Sequence, residues 1–156
     1  MTKHKNLLLN NQLCFALYAA TNSIIRYYRI YLNEIGITYT QYLVLLVLWE
    51  NGASSVKKIA NTLKLDSPTI TPIVQKLEKM DLVNRKRSSQ DERVVTVTLT
   101  KTGIDIEGQV ADIQNKVACK THLNNKDFNE LKNTLNKLAE TMAEKEHKLD
   151  SLLKSK

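Results

Sequence analysis

Glycine and proline are scarce, four and two among 156 residues. So few breakers favour helices, and Gly36, Gly52, Gly103, Gly108, Pro68 and Pro72 become punctuation between elements. No run reaches the roughly 18 apolar residues that a membrane-spanning helix needs. The opening Met-Thr-Lys-His-Lys leads only into Leu7-Leu8-Leu9 before Asn10 and Asn11, too short an apolar stretch for a secretory signal. A cytoplasmic location, with no membrane partner and with thiols kept reduced, is therefore expected. Only two cysteines are present, Cys14 and Cys119. In that compartment they are not a staple by default; they are inert, catalytic, metal-binding or redox-sensing. A glycine-rich phosphate loop, a nucleophile elbow and a paired set of catalytic carboxylates are all missing, so neither an enzyme activity nor a cofactor is expected. Cys119 and His122 are three apart, but two ligands do not make a zinc site and His4 and His147 have no companion spacing, so no metal is expected.

What is present is an apolar content of 42%, enough for a packed core, and a net charge of +7. A basic balance suits a polyanionic partner, and the placement of the charge must say which. From Asn6 to Asn33 the residues Leu9, Leu13, Leu17, Ala20, Ile24, Tyr28 and Tyr31 keep helical spacing, and Gly36 ends that element. Thr38 and Gln41 have the spacing of a capping box. The helix they open, "YLVLLVLWENG", is apolar all round and reads as the central core helix.

Two short apolar stripes follow, Val56-Ile59-Ala60-Leu63 and Ile70-Ile73-Val74-Leu77, with Lys64-Leu65-Asp66 as a tight turn between them. Ser67 and Pro68 read as the N-cap and first helical position of the second. This is a helix-turn-helix pattern. The period then changes: "LVNRKRS" and "RVVTVTLT" read as two strands around the polar loop "SSQDE", the wing of a winged helix. Beyond Lys101 helix resumes through Ile106, Val110, Ile113 and Val117. A final helix starting at Asn124 or Asn125 carries Phe128, Leu131, Leu135, Leu138, Met142 and Leu149 in a heptad-like rhythm broken at Lys145. Such seams need a partner, and a homodimer would bury them.

A recognition helix presents small or hydrogen-bonding side chains to the major groove. Ser67, Thr69, Thr71, Gln75 and Lys76 fall off the apolar stripe and suit that role. The wing adds Arg85, Lys86, Arg87 and Arg93; Arg93 suits a narrow minor groove, with Asp91 beside it to orient the guanidinium. The partner expected is a double-stranded DNA operator.

The segment "LDSPTITPIVQKLEKMDLVNRKRSSQDERVVTVTLTKTG" resembles the winged-helix signature of the MarR family. "NQLCFALYAA" with "ITYTQYLVLLVLWE" resembles its OhrR-type organic-hydroperoxide sensors and the related staphylococcal thiol-based regulators. The match covers about residues 10 to 103 closely; the C-terminal helices match in pattern only. It implies a mainly α fold with a small β-hairpin wing, a winged helix-turn-helix in a MarR-like homodimer with intertwined N- and C-terminal helices. The expected division is 1–37 for N-terminal dimerisation, 38–100 for DNA binding and 101–156 for C-terminal dimerisation. Two departures stand in or beside the recognition helix: Pro68 where relatives often have glycine, and Gln75 where many have lysine. The resemblance therefore carries no operator sequence over.

Periodicity alone leaves Cys14 either a small packing residue or a reactive thiol. The resemblance implies the second, with Tyr18, Tyr28 and Tyr39 at the positions that support the thiolate. It also places Cys119 at the resolving position of the two-cysteine subgroup, where a sulfenic acid gives way to an intersubunit disulfide. Capping of Cys14 by a small thiol is the one-cysteine alternative. The expected function is a repressor released by an organic hydroperoxide or related oxidant. A regulator answering a small ligand without thiol chemistry, and a helical interaction module that does not bind DNA, are the competing readings.

Overall fold

The computed structural model describes residues 3–87 and 94–154. It falls into two compact units, Met1–Val117 and Ala118–Lys156. The first is a mainly helical winged helix-turn-helix with a small antiparallel wing.

Helix α1 (Leu13–Asn33) begins later than its apolar spacing predicts. Two 3-10 turns, Lys5–Leu7 and Leu9–Asn11, precede it. The reason lies in the amide side chains. Asn11 Nδ2 donates to the Lys5 carbonyl at 2.8 Å, and Gln12 Nε2 donates to the Asn6 carbonyl. These bonds hold tight turns in place of helix.

Helix α2 (Tyr39–Asn51) starts on the capping box the sequence predicts. Thr38 N donates to Gln41 Oε1 at 2.7 Å and Gln41 N donates to Thr38 Oγ1 at 3.3 Å. Val44, Leu45, Val47 and Leu48 are buried, so α2 is the core helix. Strand β1 (Ser54–Ser55) follows, then α3 (Val56–Leu63), which presents Ile59 and Ala60 to the core. Helix α4 (Ser67–Lys79) buries Ile70, Val74 and Leu77. Its N-cap is Asp66, one residue earlier than the sequence reading, and Pro68 is second in the helix rather than first. Asp66 Oδ1 accepts from Thr69 N at 2.8 Å. A carboxylate is a stronger acceptor for that amide than the Ser67 hydroxyl, and Pro in either position forfeits only an N–H with no partner inside the helix.

The wing pairs β2 (Val83–Arg87) with β3 (Val95–Leu99), with Val83 opposite Leu99 and Arg85 opposite Val97. β1 adds to the other side of β3, giving the order β1-β3-β2. Two serines carry no strand pattern, so β1 was not legible beforehand. Helix α5 (Lys101–Asp105) and α6 (Glu107–Lys120) break at Ile106, where the sequence reads as one helix. Gly103 explains the tight approach of α5: a Cβ there would lie 2.0 Å from the Leu82 carbonyl oxygen. Trp49 Nε1 donates to the Gly103 carbonyl at 3.0 Å and ties α5 to α2. Val110, Ile113 and Val117 of α6 complete the core.

The second unit holds α7 (Asn125–Lys154). Asn124 caps it, accepting from the amides of Lys126 and Asp127 at 3.0 Å each. Phe128, Leu131, Leu135 and Met142 are exposed in the single chain. So are Leu7, Leu8, Leu9 and Leu13 in the first unit. Among the described residues no helix is long and apolar enough to cross a membrane.

Candidate functional site

Helix α4 exposes Thr69, Thr71, Gln75 and Lys76, and leaves Ser67 half-buried at its first position. Asp66 fixes that end, and its carboxyl is held below the ordinary carboxylate range, chiefly by its hydrogen bonds with Thr69. Thr71 Oγ1 donates to the Ser67 carbonyl at 2.8 Å. A hydroxyl so engaged still has lone pairs to offer outward. Between α4 and the wing runs a cleft of about 440 Å³ whose walls include Ser55, Lys57, Ser67, Thr71 and Arg85. Lys57, exposed in the first turn of α3, belongs to this face although the sequence reading did not single it out.

The basic residues of the wing divide. Lys86 and Arg87 are exposed on β2. Arg85 is half-buried, and its Nε and Nη2 each lie 2.7 Å from Glu78 Oε2. Asp91 and Arg93 lie outside the described residues.

The thiol groups are placed differently. Cys14 is the second residue of α1 and exposed; Cys119, in the other unit, is also exposed. Tyr18 sits one turn beyond Cys14 and is 67% exposed. Tyr28 and Tyr39 are brought together, with ring centroids 5.2 Å apart. The structure adds Tyr42, which the sequence reading did not single out. Its ring stacks on Tyr28 at 5.1 Å and its hydroxyl lies 3.4 Å from the Tyr28 hydroxyl. Burial, then the nearby Tyr28, pushes the Tyr39 phenol up; burial, then the Tyr28 hydrogen bond, does the same to Tyr42. Both therefore stay protonated and able to donate at any physiological pH.

The cluster cannot reach the thiol of its own chain. Cys14 and Tyr28 lie on one continuous helix, Leu13–Asn33. Their 14-residue separation corresponds to about 21 Å along the axis. Tyr18 is about 6 Å along from Cys14 and can serve it locally.

A polar link runs from the tyrosine cluster to the recognition helix. Gln41, between Tyr39 and Tyr42 in the first turn of α2, donates from Nε2 to Met80 Sδ at 3.7 Å. Met80 is the C-cap of α4. Among the described residues no group of three or more His, Cys, Asp or Glu is arranged to hold a metal ion.

Residues 26–110 match the family model described as "Transcriptional regulator SarA/Rot". The chain is 39% identical over 143 residues to the organic hydroperoxide resistance transcriptional regulator of Bacillus subtilis, covering 92% of this chain and 97% of that one. It is 42% identical over 113 residues to the HTH-type regulator SarZ of Staphylococcus epidermidis, covering 72% and 76%. Solved structures of AbfR, from Staphylococcus epidermidis, are also similar. Reduced AbfR bound to DNA superposes with a TM-score of 0.77 at 32% identity, over 92% of this chain and 98% of that one. Overoxidised AbfR bound to DNA gives 0.70 at 35% identity, over 88% and 99%, and disulfide-formed AbfR gives 0.63 at 34%, over 87% and 90%.

Proposed function

We propose, from the premise that this chain belongs to the MarR family of transcriptional regulators and is related to its thiol-based redox sensors, that it is a DNA-binding homodimer switched by oxidation of Cys14. Membership makes it a regulator rather than an enzyme. In the reduced dimer the two α4 helices enter major-groove half-sites and the wings reach the flanking groove and phosphates.

The observation that carries the sensing step is the length of α1. A thiolate reacts with peroxide and a neutral thiol scarcely does, so Cys14 needs donors around its sulfur. Tyr28 and Tyr39 carry phenol hydroxyls of the kind that can donate to a thiolate, but Tyr28 lies about 21 Å along the same rod from Cys14. A second copy must present them. The same pairing buries the exposed leucines of both units.

The chemistry balances simply. The Cys14 thiolate attacks the distal oxygen of an organic hydroperoxide, the O–O bond breaks, and the alkoxide leaves as an alcohol after taking a proton. The Cys119 thiolate then attacks the sulfenic sulfur, the S–S bond forms as the S–O bond breaks, and the hydroxide leaves as water after taking a proton. Overoxidised AbfR is bound to DNA. That supports the disulfide, and not oxidation of Cys14 by itself, as the releasing event here. Movement of the paired helices would reset the spacing of the winged units, with Gln41 and Met80 passing strain from the tyrosine cluster to α4. A differential of about 3 kcal/mol suffices for a hundredfold loss of affinity.

Fluorescence anisotropy on duplex DNA from upstream of the protein's own gene tests this. Affinity should fall on treatment with cumene hydroperoxide and return with dithiothreitol. Cys14→Ser should be indifferent to peroxide, and Cys119→Ser should stay bound when oxidised. Affinity unmoved by peroxide in the wild-type protein would sink the thiol switch and favour a ligand-responsive regulator.

A further inference from the structure

Glu78 stands where two rules disfavour a carboxylate. It is in the last turn of α4, the negative end of the helix dipole, where Lys76 and Lys79 are the favourable residues. It also lies on the helix proposed to face a polyanion, where a negative charge repels the ligand. Something must offset both.

The offset is Arg85. Glu78 Oε2 receives Nε and Nη2 of Arg85 at 2.7 Å each, and Glu78 Oε1 receives the backbone amide of Arg85 at 3.3 Å. One carboxylate thus holds both the side chain and the main chain of a wing residue. The side chains are only 35% and 29% exposed. Among the described residues β2 is an edge strand, paired with β3 alone, so an amide taken up by Glu78 is also an edge group removed from solvent. The alternation of β2 agrees: Val83, on the same face as Arg85, is buried, whereas Asn84 and Lys86 on the other face are exposed.

We infer that Glu78 and Arg85 form a clamp that sets the wing against the recognition helix, and that Arg85 is a positioning residue for DNA binding instead of a phosphate contact. The clamp rests on the DNA-binding reading above. It fixes the distance between two elements that must enter neighbouring grooves together, and leaves Lys86 and Arg87 to meet the nucleic acid. A charge neutralised by a fork-shaped pair of bonds inside the domain has little left to give a phosphate.

The two roles predict opposite signs for one substitution. Glu78→Gln removes a negative charge from a DNA-facing helix, so simple electrostatics gives tighter binding. The clamp gives weaker binding, because the wing loses its anchor. The experiment uses the full-length reduced dimer and the duplex that the wild-type protein enriches from a random 30-base-pair library. Glu78→Gln and Arg85→Gln should each weaken binding about tenfold with melting temperatures close to wild type. The double variant should be no weaker than either alone, since the two act as one unit. Arg85→Lys, which keeps the charge but not the fork, should behave like Arg85→Gln. Unchanged or tighter binding by Glu78→Gln, or losses that multiply in the double variant, would overturn the clamp. A wild-type protein that enriches no duplex would overturn the DNA-binding reading and the clamp with it.

Discussion

Tyr28 carries one hydroxyl proton. If that proton is given to a thiolate across the dimer, the Tyr28 oxygen is left as an acceptor, and the Tyr42 hydroxyl at 3.4 Å is placed to fill it. Tyr42→Phe keeps the stacked ring and removes only that donor. We expect its reaction with cumene hydroperoxide to slow severalfold, and Tyr28→Phe to slow it about tenfold, the worth of one charge-assisted hydrogen bond. Stopped-flow rates on proteins of matched melting temperature decide it, and wild-type rates in both variants would remove the tyrosines from the mechanism. Asp66 makes a prediction in pH. Its folded carboxyl titrates below the ordinary value of 3.8, so its cap is fully stabilising above that value and is lost as pH falls through the folded pKa. Asp66→Asn should lower the melting temperature most near neutrality, with the gap narrowing as pH drops below about 3.8. A gap constant with pH would mean that the charge of the cap contributes nothing.

At the scale of elements, the close passage of α5 over Leu82 is the most exacting fit. Gly103→Ala would put a methyl 2.0 Å from a backbone oxygen, and the Trp49 bond to Gly103 leaves α5 little freedom to retreat. Urea unfolding should show a loss of about 3 kcal/mol or more; a loss below about 1 kcal/mol would show that α5 shifts freely. The elements that were legible in advance are those whose signal is local. The Thr38–Gln41 box is four residues long, and the alternation of β3 shows within five. The late start of α1 and the cap at Asp66 are contests between neighbouring polar groups, so propensity located them only to within a few residues. β1 was not legible, because two serines become a strand only by pairing with Val97 and Thr96. Tyr42 was hidden for a related reason: spacing shows a buried aromatic, whereas the hydroxyl contact with Tyr28 depends on how α1 crosses α2. Arg85 counted as one more positive charge until its partner seven residues back was in view.

The whole molecule is incomplete as one chain. Leu131 and Leu135 of α7 are exposed, as are the leucines before and at the start of α1. Leu131→Glu combined with Leu135→Glu should yield monomers by sedimentation velocity, with DNA affinity reduced more than a hundredfold as one half-site contact is lost. A dimer that survives the pair would place the seam elsewhere. The unbroken rod from Leu13 to Asn33 has a consequence for when the sensor exists. It works as a ruler that holds Cys14 away from Tyr28 and the phenols packed on it in the same chain, and leaves only Tyr18 within a turn of it. On the proposed mechanism, a newly made subunit would meet peroxide with a sluggish sulfur and would not be spent before it has a mate. Pairing would arm it. Abundance and oxidant would then act as two inputs to a single gate, and the cell would hear the second only after the first had passed its threshold.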